Sequence, residues 1–467
     1  MQELYFHNTL TGKKEPFHPV GGTAAVKIYS CGPTVYDFAH IGNFRTNIFQ
    51  DLLVRVFEHF GYRVEQVMNI TDVDDKTIAG SIREGISLQE YTKKYTAAFL
   101  EDLDALRIKR PRHMPRATEC IGDMQELIQT LIDNGHAYAS NGSVYFKIDT
   151  FPGYGKLSKK KLDQNIQGAR IESDEYEKDN LSDFVLWKAK KEGEPSWPSP
   201  WGDGRPGWHI ECSAMSMKYF GATFDMHTGG EDLVFPHHEN EIAQSEAATG
   251  KPYAAWWLHA KFLLVDGEKM SKSKGNFYTL RGLLAKGYDP VSIRYLLLSH
   301  NYRQPLNFTL DGIEQAKKAV QRINECMCRV TERLPDAGGN EDAHLAEVLQ
   351  GDYRDFEWCL SDDLNVAQAL AIIFDVIKKV NHAFDNNRVN EAAHREMKRF
   401  FAMVNEILAV QCDKKTAIPA DISALADARA EARTAKNWVE ADRLRNELDA
   451  RGWVIKDTKD GYTVERK

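Results

Sequence analysis

The chain lacks long hydrophobic runs. No window of its 467 residues reaches the ~18 uninterrupted apolar residues that a membrane-spanning helix needs. Residues 1–30 also lack the basic start followed by about seven apolar residues that would indicate a secretory signal. We therefore expect a cytoplasmic protein with no membrane partner.

Cysteine is scarce, and its pattern does not suggest a disulfide scaffold. The seven cysteines are an odd number and are spread from Cys31 to Cys412. Such usage favours a reducing compartment in which thiols bind metals or fill the core. The zinc motifs CxxC and HExxH are absent, so a zinc site would have to be assembled from residues distant in the sequence.

An excess of positive charge is also absent. The formal net charge is −8 at pH 7, which argues against nucleic-acid binding by bulk electrostatics and leaves only local basic patches for that role. Hydrophobic residues make up 42% of the chain and charged residues 27%, as in ordinary soluble proteins. The length exceeds what one hydrophobic core usually serves, so we expect roughly two to four domains.

The hydrophobic pattern predicts an α/β domain that is interrupted by an insertion. A strand at 26–29, a helix with apolar residues at every fourth position up to Gly61, and a strand at 63–70 make a β-loop-α-β unit typical of a parallel sheet. Residues 121–204 are punctuated by glycine and proline, and strand alternation resumes at 222–226, with a helix expected from Pro236. We predict a Rossmann-like, doubly wound parallel-sheet catalytic domain at 1–120 and 205–250, with a connective insertion at 121–204.

The remaining residues have mostly helical spacing. A separate region at 251–310 is expected to precede an α-helical bundle at 311–412. A polar linker at 413–419 then leads to a small C-terminal domain at 420–467. In that domain we expect one helix from about Ser423 to Leu448 and a strand at 453–455.

Four separated residues have the chemistry of a zinc site. His237 and Glu241 are four residues apart, so on a helix they share one face. Cys31 and Cys212 can add two thiolates, which completes a ligand set that suits zinc. The same residues are also consistent with buried thiols and an exposed His/Glu pair. His238 is a competing ligand that a regular helix would turn about 100° away from His237.

Two loops have the composition of nucleotide-binding segments. Segment 31–43 joins a strand to a helix, where phosphates meet free backbone N–H groups and the positive helix end. Segment 266–276 encloses three lysines between two glycines, and such lysines can neutralise charge on a triphosphate. A plain βα connection with a capping asparagine and a solvated basic loop are the alternatives.

In combination, these segments resemble the cysteinyl-tRNA synthetase family of class I aminoacyl-tRNA synthetases. Residues 40–43 are similar to the HIGH motif, and residues 269–273 read KMSKS letter for letter. The stretches CGPTVYD at 31–37, NITDVDDK at 69–76, GWHIECS at 207–213 and FPHHENE at 235–241 are also characteristic of the cysteine branch. One position differs, since Asn43 replaces the last histidine of HIGH, and an amide can donate a hydrogen bond but carries no charge.

The resemblance implies an enzyme that activates L-cysteine with ATP and Mg²⁺ and transfers the cysteinyl group to tRNA(Cys), with one zinc ion selecting the thiolate. It implies tRNA binding by the bundle and anticodon binding by the C-terminal domain. The implied zinc ligands are Cys31, Cys212, His237 and Glu241, and the implied walls of the cysteine pocket are Thr71 and Trp208. The implied catalytic residues are His40, Asn43, Lys269 and Lys272, and the same four contact ATP together with Thr34, His227, Gly229 and Gly230.

Two other functions remain open at this point. A cysteine ligase of mycothiol biosynthesis uses the same adenylate chemistry, but such relatives lack the C-terminal segment that this chain retains at 432–442. A non-catalytic zinc protein that binds nucleic acid would have no need of the KMSKS lysines.

Overall fold

In the computed structural model, residues 2–160, 183–335, 344–411, 419–458 and 461–466 are described. They divide into two units, Met1–Val410 and Gln411–Lys467. The polar linker expected at 413–419 lies outside the described residues except for Pro419. Across the described part of the chain, no helix combines the length and the apolar character needed to cross a bilayer.

The strands are short and belong to several sheets. In chain order they are β1 (Tyr5–Asn8), β2 (Lys13–Pro16), β3 (Ala25–Ser30), β4 (Arg63–Met68), β5 (Ala137–Ser140), β6 (Ser143–Phe146), β7 (Phe184–Ala189), β8 (Gly204–Pro206), β9 (Phe224–Gly230), β10 (Ala254–Ala260), β11 (Leu263–Val265), β12 (Glu268–Lys269), β13 (Leu306–Phe308), β14 (Trp453–Thr458) and β15 (Gly461–Arg466).

The α-helices account for most of the remaining structure. In chain order they are α1 (Ile41–His59), α2 (Asp75–Glu84), α3 (Leu88–Ala105), α4 (Ile121–Asp133), α5 (Trp208–Phe220), α6 (Glu239–Thr249), α7 (Leu280–Ala285), α8 (Pro290–Leu298), α9 (Leu310–Glu332), α10 (Leu345–Ser361), α11 (Val366–Asp385), α12 (Glu391–Leu408), α13 (Ala420–Thr434) and α14 (Trp438–Ala450).

A four-stranded parallel sheet with the order β10-β9-β3-β4 positions the candidate site. The unit β3-α1-β4 confirms the β-loop-α-β prediction. Helix α1 buries Phe44, Ile48 and Leu52 in the same core as strand residues of the sheet, as its apolar period requires. It ends before Gly61, whose φ of 85° suits glycine. Strand β10 extends the sheet beyond residue 250, the boundary expected from the sequence.

The insertion has its own antiparallel sheet with the order β5-β6-β7-β8. The last strand of this sheet, β8, ends at Pro206, two residues beyond the expected boundary at 204. Two cations of the sheet pair with Asp75, the first residue of α2. Lys188 Nζ lies 2.8 Å from the carboxylate, and Arg205 also pairs with it. These ion pairs connect the insertion to the parallel-sheet domain.

A buried arginine connects α1 to later helices through an ion pair and a hydrogen bond. Arg294, on α8, is fully buried. Its guanidinium lies 2.5 Å from Asp51 Oδ2 on α1 and donates to the carbonyl of Leu408 at the end of α12 over 2.7 Å. Helices α9 to α12 confirm the helical region predicted for 311–412 within its described residues.

The second unit contains two helices and a hairpin. The expectation of one helix from Ser423 to Leu448 is wrong, because the chain turns at Lys436, whose φ is 58°. Asn437 then caps α14 by accepting the N–H of Glu440. The expected strand at 453–455 is confirmed as part of β14, which pairs with β15.

Candidate functional site

The carboxyl ends of the parallel strands bring distant segments together. Cys31 follows β3, Thr71 lies three residues after β4, and β9 ends at Gly230. The N–H of Cys31 donates to the carbonyl of Thr228 over 3.1 Å, and the N–H of Thr71 donates to Pro33 over 3.1 Å. This edge is where ligands bind in open α/β sheets.

A compact group of ligand atoms lies at this edge. The side-chain donor atoms of Cys31, Cys212, His237 and Glu241 are all within 4.8 Å of one another. The two sulfurs are 4.0 Å apart, and Cys31 Sγ is 3.8 Å from Glu241 Oε1. His237 Nε2 is 3.1 Å from the same carboxylate oxygen. The residues expected to bind zinc therefore converge, although 210 positions separate the first from the last.

These separations fit a tetrahedral zinc ion. Bonds of about 2.3 Å to sulfur and about 2.0 Å to nitrogen or oxygen would place two sulfurs about 3.8 Å apart and a nitrogen and an oxygen about 3.3 Å apart. The measured S–S and N–O separations are each within a few tenths of an ångström of those values. Two thiols, an imidazole and a carboxylate are ligands that zinc accepts in structural and catalytic sites.

The electrostatics of the cluster favour the anionic forms of two ligands. Burial raises the pKa of the Glu241 carboxyl, but His227 and His237 more than offset this and hold the pKa well below its usual value. Burial also raises the pKa of Cys212, but hydrogen bonds from Cys31 and His237 reverse the shift and lower it. Burial and the neighbouring Cys212 raise the pKa of Cys31. Metal ligands must be deprotonated to bind, and two of the four are already favoured in that form.

Several residues that the sequence did not single out hold these ligands in place. His209 Nδ1 lies 2.8 Å from His237 Nδ1, and Tyr253 Oη donates to Glu241 Oε2 over 3.1 Å. Such outer partners orient metal ligands. His209 occurs inside the GWHIECS stretch, so the sequence contained a signal for it, whereas nothing local marks Tyr253.

His227 lies in this cluster with its side chain fully buried. Its Nε2 is 2.8 Å from Glu241 Oε2, and its ring stacks on Trp257 with centroids 4.6 Å apart. The sequence placed His227 among the ATP contacts. Its imidazole faces this cluster, and its backbone lies in β9, between β3 and β10.

His238 also reaches the cluster, which the helical-wheel argument did not anticipate. Its Nε2 is 3.2 Å from Cys31 Sγ, and it belongs to a second group of potential ligands with Cys31, His227 and Glu241. Residues Val234–His238 form a π-helical turn in which Phe235 alone has non-helical φ/ψ, and α6 follows directly from Glu239. Helical backbone therefore runs from Pro236, as the sequence predicts.

One wall of the site carries Trp208, Thr71 and Glu211. The Trp208 side chain is 39% exposed, and its ring lies 4.3 Å from that of His237. Thr71 is 1% exposed, and its hydroxyl donates to Glu211 Oε2 over 2.7 Å. Burial raises the pKa of Glu211 well above its usual value, although the bond from Thr71 acts in the opposite direction. The two expected pocket residues therefore lie beside the metal ligands.

His40 and Asn43 form a reciprocal cap at the start of α1. The N–H of Asn43 donates to His40 Nδ1 over 3.2 Å, and Asn43 Oδ1 accepts the N–H of His40 over 3.0 Å. Burial lowers the pKa of His40. Because Nδ1 is an acceptor, the neutral ring carries its proton on Nε2, which makes it a hydrogen-bond donor at a positive helix end.

The KMSKS loop lies against this helix end. Lys272 Nζ forms an ion pair of 2.6 Å with Asp37 Oδ2, and Lys274 pairs with Glu268 over 2.7 Å. The N–H of Ile41 donates to the carbonyl of Tyr278 over 3.0 Å. Lys269 is exposed on β12. The two predicted nucleotide-binding segments are therefore neighbours.

The remaining predicted ATP contacts surround the same edge. Thr34 bridges to Thr71. A Cβ atom at Gly229 would lie 2.8 Å from the His238 ring, and one at Gly230 would lie 2.4 Å from Asp232 Oδ1. Gly229 therefore makes room for the metal cluster.

Three family models match this chain. Residues 17–318 match the class I (C) tRNA synthetase catalytic domain, residues 355–410 the DALR domain, and residues 415–464 the cysteinyl-tRNA ligase anticodon-binding domain. A synthetase catalytic domain followed by an anticodon-binding domain implies ATP, an amino acid and tRNA as substrates.

Similar proteins extend over the whole chain. A cysteine–tRNA ligase of Solibacter usitatus is 50% identical over 99% of this chain and 100% of its own length. One of Brachyspira hyodysenteriae is 48% identical over 100% of both chains. A solved methionyl-tRNA synthetase of Mycobacterium tuberculosis, in complex with methionyl-adenylate, shares the fold with a TM-score of 0.59 and 14% identity, over 83% of this chain and 90% of that one. By its full-length similarity and its matched domains, this chain belongs to the cysteine–tRNA ligase family of class I synthetases.

Proposed function

We propose that this chain activates L-cysteine with ATP and transfers the cysteinyl group to tRNA(Cys). The observation that carries the proposal is the convergence of Cys31, Cys212, His237 and Glu241 beside the pocket wall of Trp208 and Thr71. The ligand distances support zinc as the resident metal. The site lies at the sheet edge that also carries the α1 N-terminus and, close by, the KMSKS loop.

Zinc would explain how cysteine is chosen over serine. The two amino acids differ only in sulfur and oxygen, and a pocket rejects such near-isosteres weakly by shape. The chemistry that bound zinc supplies is a preference for a sulfur ligand over a hydroxyl. Of the four protein ligands, Cys31 is only partly buried while the other three are at most 2% exposed, so the substrate approaches from the Cys31 side.

The α1 N-terminus and the KMSKS loop would bind ATP with its Mg²⁺. The carboxylate of cysteine attacks the α-phosphorus, the bond to pyrophosphate breaks, and a ribose hydroxyl of tRNA then takes the acyl group while AMP leaves. His40 Nε2–H and Asn43 donate to phosphate oxygens, and Lys269 and Lys272 neutralise the charge that develops there. Thr34, His227, Gly229 and Gly230 complete the predicted ATP contacts.

The other domains would bind tRNA. We assign the activation of cysteine with ATP to residues 1–120 and 205–250, whose sheet is extended by β10. Residues 121–204 form the connective insertion, residues 251–310 form the stem-contact region with the KMSKS loop, and residues 311–412 contact tRNA. Anticodon binding is assigned to residues 420–467. There Trp438 is 58% exposed at the start of α14, where an aromatic ring among cations can stack on an unpaired base.

The proposal is tested by removing single ligands. Cys212→Ser and His237→Ala are expected to lower the zinc content per chain and cysteine-dependent ATP–pyrophosphate exchange together. The loss of zinc affinity and of exchange activity should exceed the ~10–100-fold loss that is typical when a residue that only orients a metal ligand is replaced. Cys120→Ser is the matched control, because Cys120 is equally buried at 2% exposure and lies outside the cluster. Full exchange activity in metal-free protein, or equal activation of serine, would overturn the assignment.

A further inference from the structure

Glu211 is a buried carboxylate on the wall of the candidate pocket. It is 1% exposed and immediately precedes Cys212 on α5. Trp208, Glu211 and Cys212 have the spacing i, i+3 and i+4, so they share one face of the helix. That face is directed at the site, because the Trp208 ring lies 4.3 Å from the His237 ring and Cys212 is one of the clustered ligands.

A directed chain of hydrogen bonds ends at this carboxylate. The backbone N–H of Gly32 can only donate, and it donates to Asn69 Oδ1 over 2.8 Å, which fixes the orientation of that amide. Asn69 Nδ2 then donates to Thr71 Oγ1 over 3.1 Å, and Thr71 donates its single hydroxyl proton to Glu211 over 2.7 Å. The hydroxyl of Thr71 therefore has no proton left to donate to the pocket, and it presents an oxygen lone pair beside the Glu211 carboxyl group.

Among the described residues, no hydrogen bond or ion pair joins Glu211 to a cation. Thr71 is its hydrogen-bond donor, and the ionisable groups with the largest effect on it, Cys212, Asp74 and Asp72, are all anionic when charged. Glu241, the other buried carboxylate of the site, has two histidines and Tyr253 beside it. A buried carboxylate without a cation is unfavourable, and a positively charged ligand would relieve that cost.

We propose that Glu211, with Thr71 Oγ1 beside it, accepts hydrogen bonds from the α-ammonium group of the amino acid substrate. The inference rests on the proposed function and deepens it. The sulfur of cysteine lies toward Cys31 and Cys212, the ammonium lies against Glu211, and the carboxylate stays free for the α-phosphorus. Glu211 thereby selects an α-amino acid over thiols that have no amino group.

The test compares two thiols that differ only in the ammonium group, L-cysteine and 3-mercaptopropionate. Their dissociation constants are measured by calorimetry on zinc-loaded full-length protein, and the zinc content of every variant is checked. Glu211→Gln is expected to weaken L-cysteine binding by at least about 30-fold, as for loss of one partner of a buried charge pair, and to leave 3-mercaptopropionate binding unchanged. Glu194→Gln is the control, because that carboxylate pairs with Arg205 in the insertion, and it should bind both thiols as the wild type does.

Each outcome decides the proposal. If Glu211→Gln weakens the binding of both thiols equally, Glu211 only maintains the fold of the pocket. This result would overturn the inference and leave the proposed function in place. A wild-type protein that binds neither thiol would overturn both. Should Glu211→Gln fail to fold, Thr71→Val removes the adjoining acceptor and is expected to produce the same selective loss, whereas Thr71→Ser keeps the hydroxyl and should retain affinity for L-cysteine.

Discussion

At the residue scale, Asn43 replaces a histidine of a known signature and has a structural role of its own. Its side-chain oxygen accepts the N–H of His40, while its backbone N–H donates to the His40 ring. This arrangement fixes both the start of α1 and the tautomer of His40. A neutral amide at this position therefore stabilises the helix terminus.

Asn43→Ala removes one half of this cap. It is expected to lower the free energy of unfolding by about 1 kcal/mol, the usual effect of losing a helix cap, and to raise KM for ATP because His40 loses its fixed orientation. Urea unfolding and ATP–pyrophosphate exchange measure the two effects. Asn43→Asp keeps the acceptor, so it should retain stability while still raising KM through repulsion of the phosphates. A wild-type KM in both variants would contradict a role for this position in ATP binding.

At the scale of elements, the KMSKS loop is held to the α1 segment by the pair Lys272–Asp37. If Lys272 binds the triphosphate, ATP has to displace Asp37. Asp37→Asn is therefore expected to lower KM for ATP by a factor of up to about five, since both side chains are more than a third exposed and such pairs contribute less than about 1 kcal/mol. Glu268→Gln frees Lys274 in the same loop and should leave KM unchanged. An increase of KM in Asp37→Asn would show that the carboxylate assists ATP binding.

The contact between α2 and the insertion should be sensitive to acid. Burial raises the pKa of Asp75, but Lys188 and Arg205 more than offset it, so its pKa in the folded protein lies below the usual 3.8. A carboxyl group whose pKa is lower in the folded protein than in the unfolded chain stabilises the fold at pH values above its unfolded-state pKa. This stabilisation is lost as the pH falls through its pKa in the folded protein. Asp75→Asn should therefore lower the thermal midpoint at pH 7, and the difference from wild type should shrink as the pH falls below about 4. A constant difference across that range would exclude the ion pairs as its cause.

At the scale of the whole molecule, the second unit, Gln411–Lys467, has a small core of its own. The buried hydrophobic residues of this core are Ile422, Ala426, Leu448, Ile455 and Val464. The first unit contains the four clustered residues that could hold a metal ion and both segments predicted to bind nucleotide. The proposed function assigns amino-acid activation to the first unit and anticodon recognition to the second.

A chain ending at Val410 is therefore expected to keep cysteine-dependent ATP–pyrophosphate exchange. It should lose charging of tRNA bearing a GCA anticodon by at least about tenfold in kcat/KM, the factor that corresponds to 1.4 kcal/mol of lost binding. Loss of exchange together with charging would show that activation depends on the second unit. Measuring zinc content in the same preparation verifies that the first unit is folded.

The sequence by itself determined the local elements and the chemistry of the ligands. The period of α1 and the alternation of its flanking strands reflect steric and hydrophobic preferences within a few residues, so β3, α1 and β4 were predictable. The identities of Cys31, Cys212, His237 and Glu241 followed from metal-ligand chemistry and the family resemblance. The single C-terminal helix was misjudged, because a positive φ at Lys436 leaves little trace in hydrophobic spacing.

Only the tertiary structure decided which distant residues meet. Tyr253 reaches Glu241, Asp37 reaches Lys272 across 235 positions, and Glu211 becomes the end of a hydrogen-bond chain that begins at Gly32. The physical reason is that these contacts depend on how strands and helices pack against one another. Packing is set by the summed burial of the whole domain, and no single stretch of sequence encodes it.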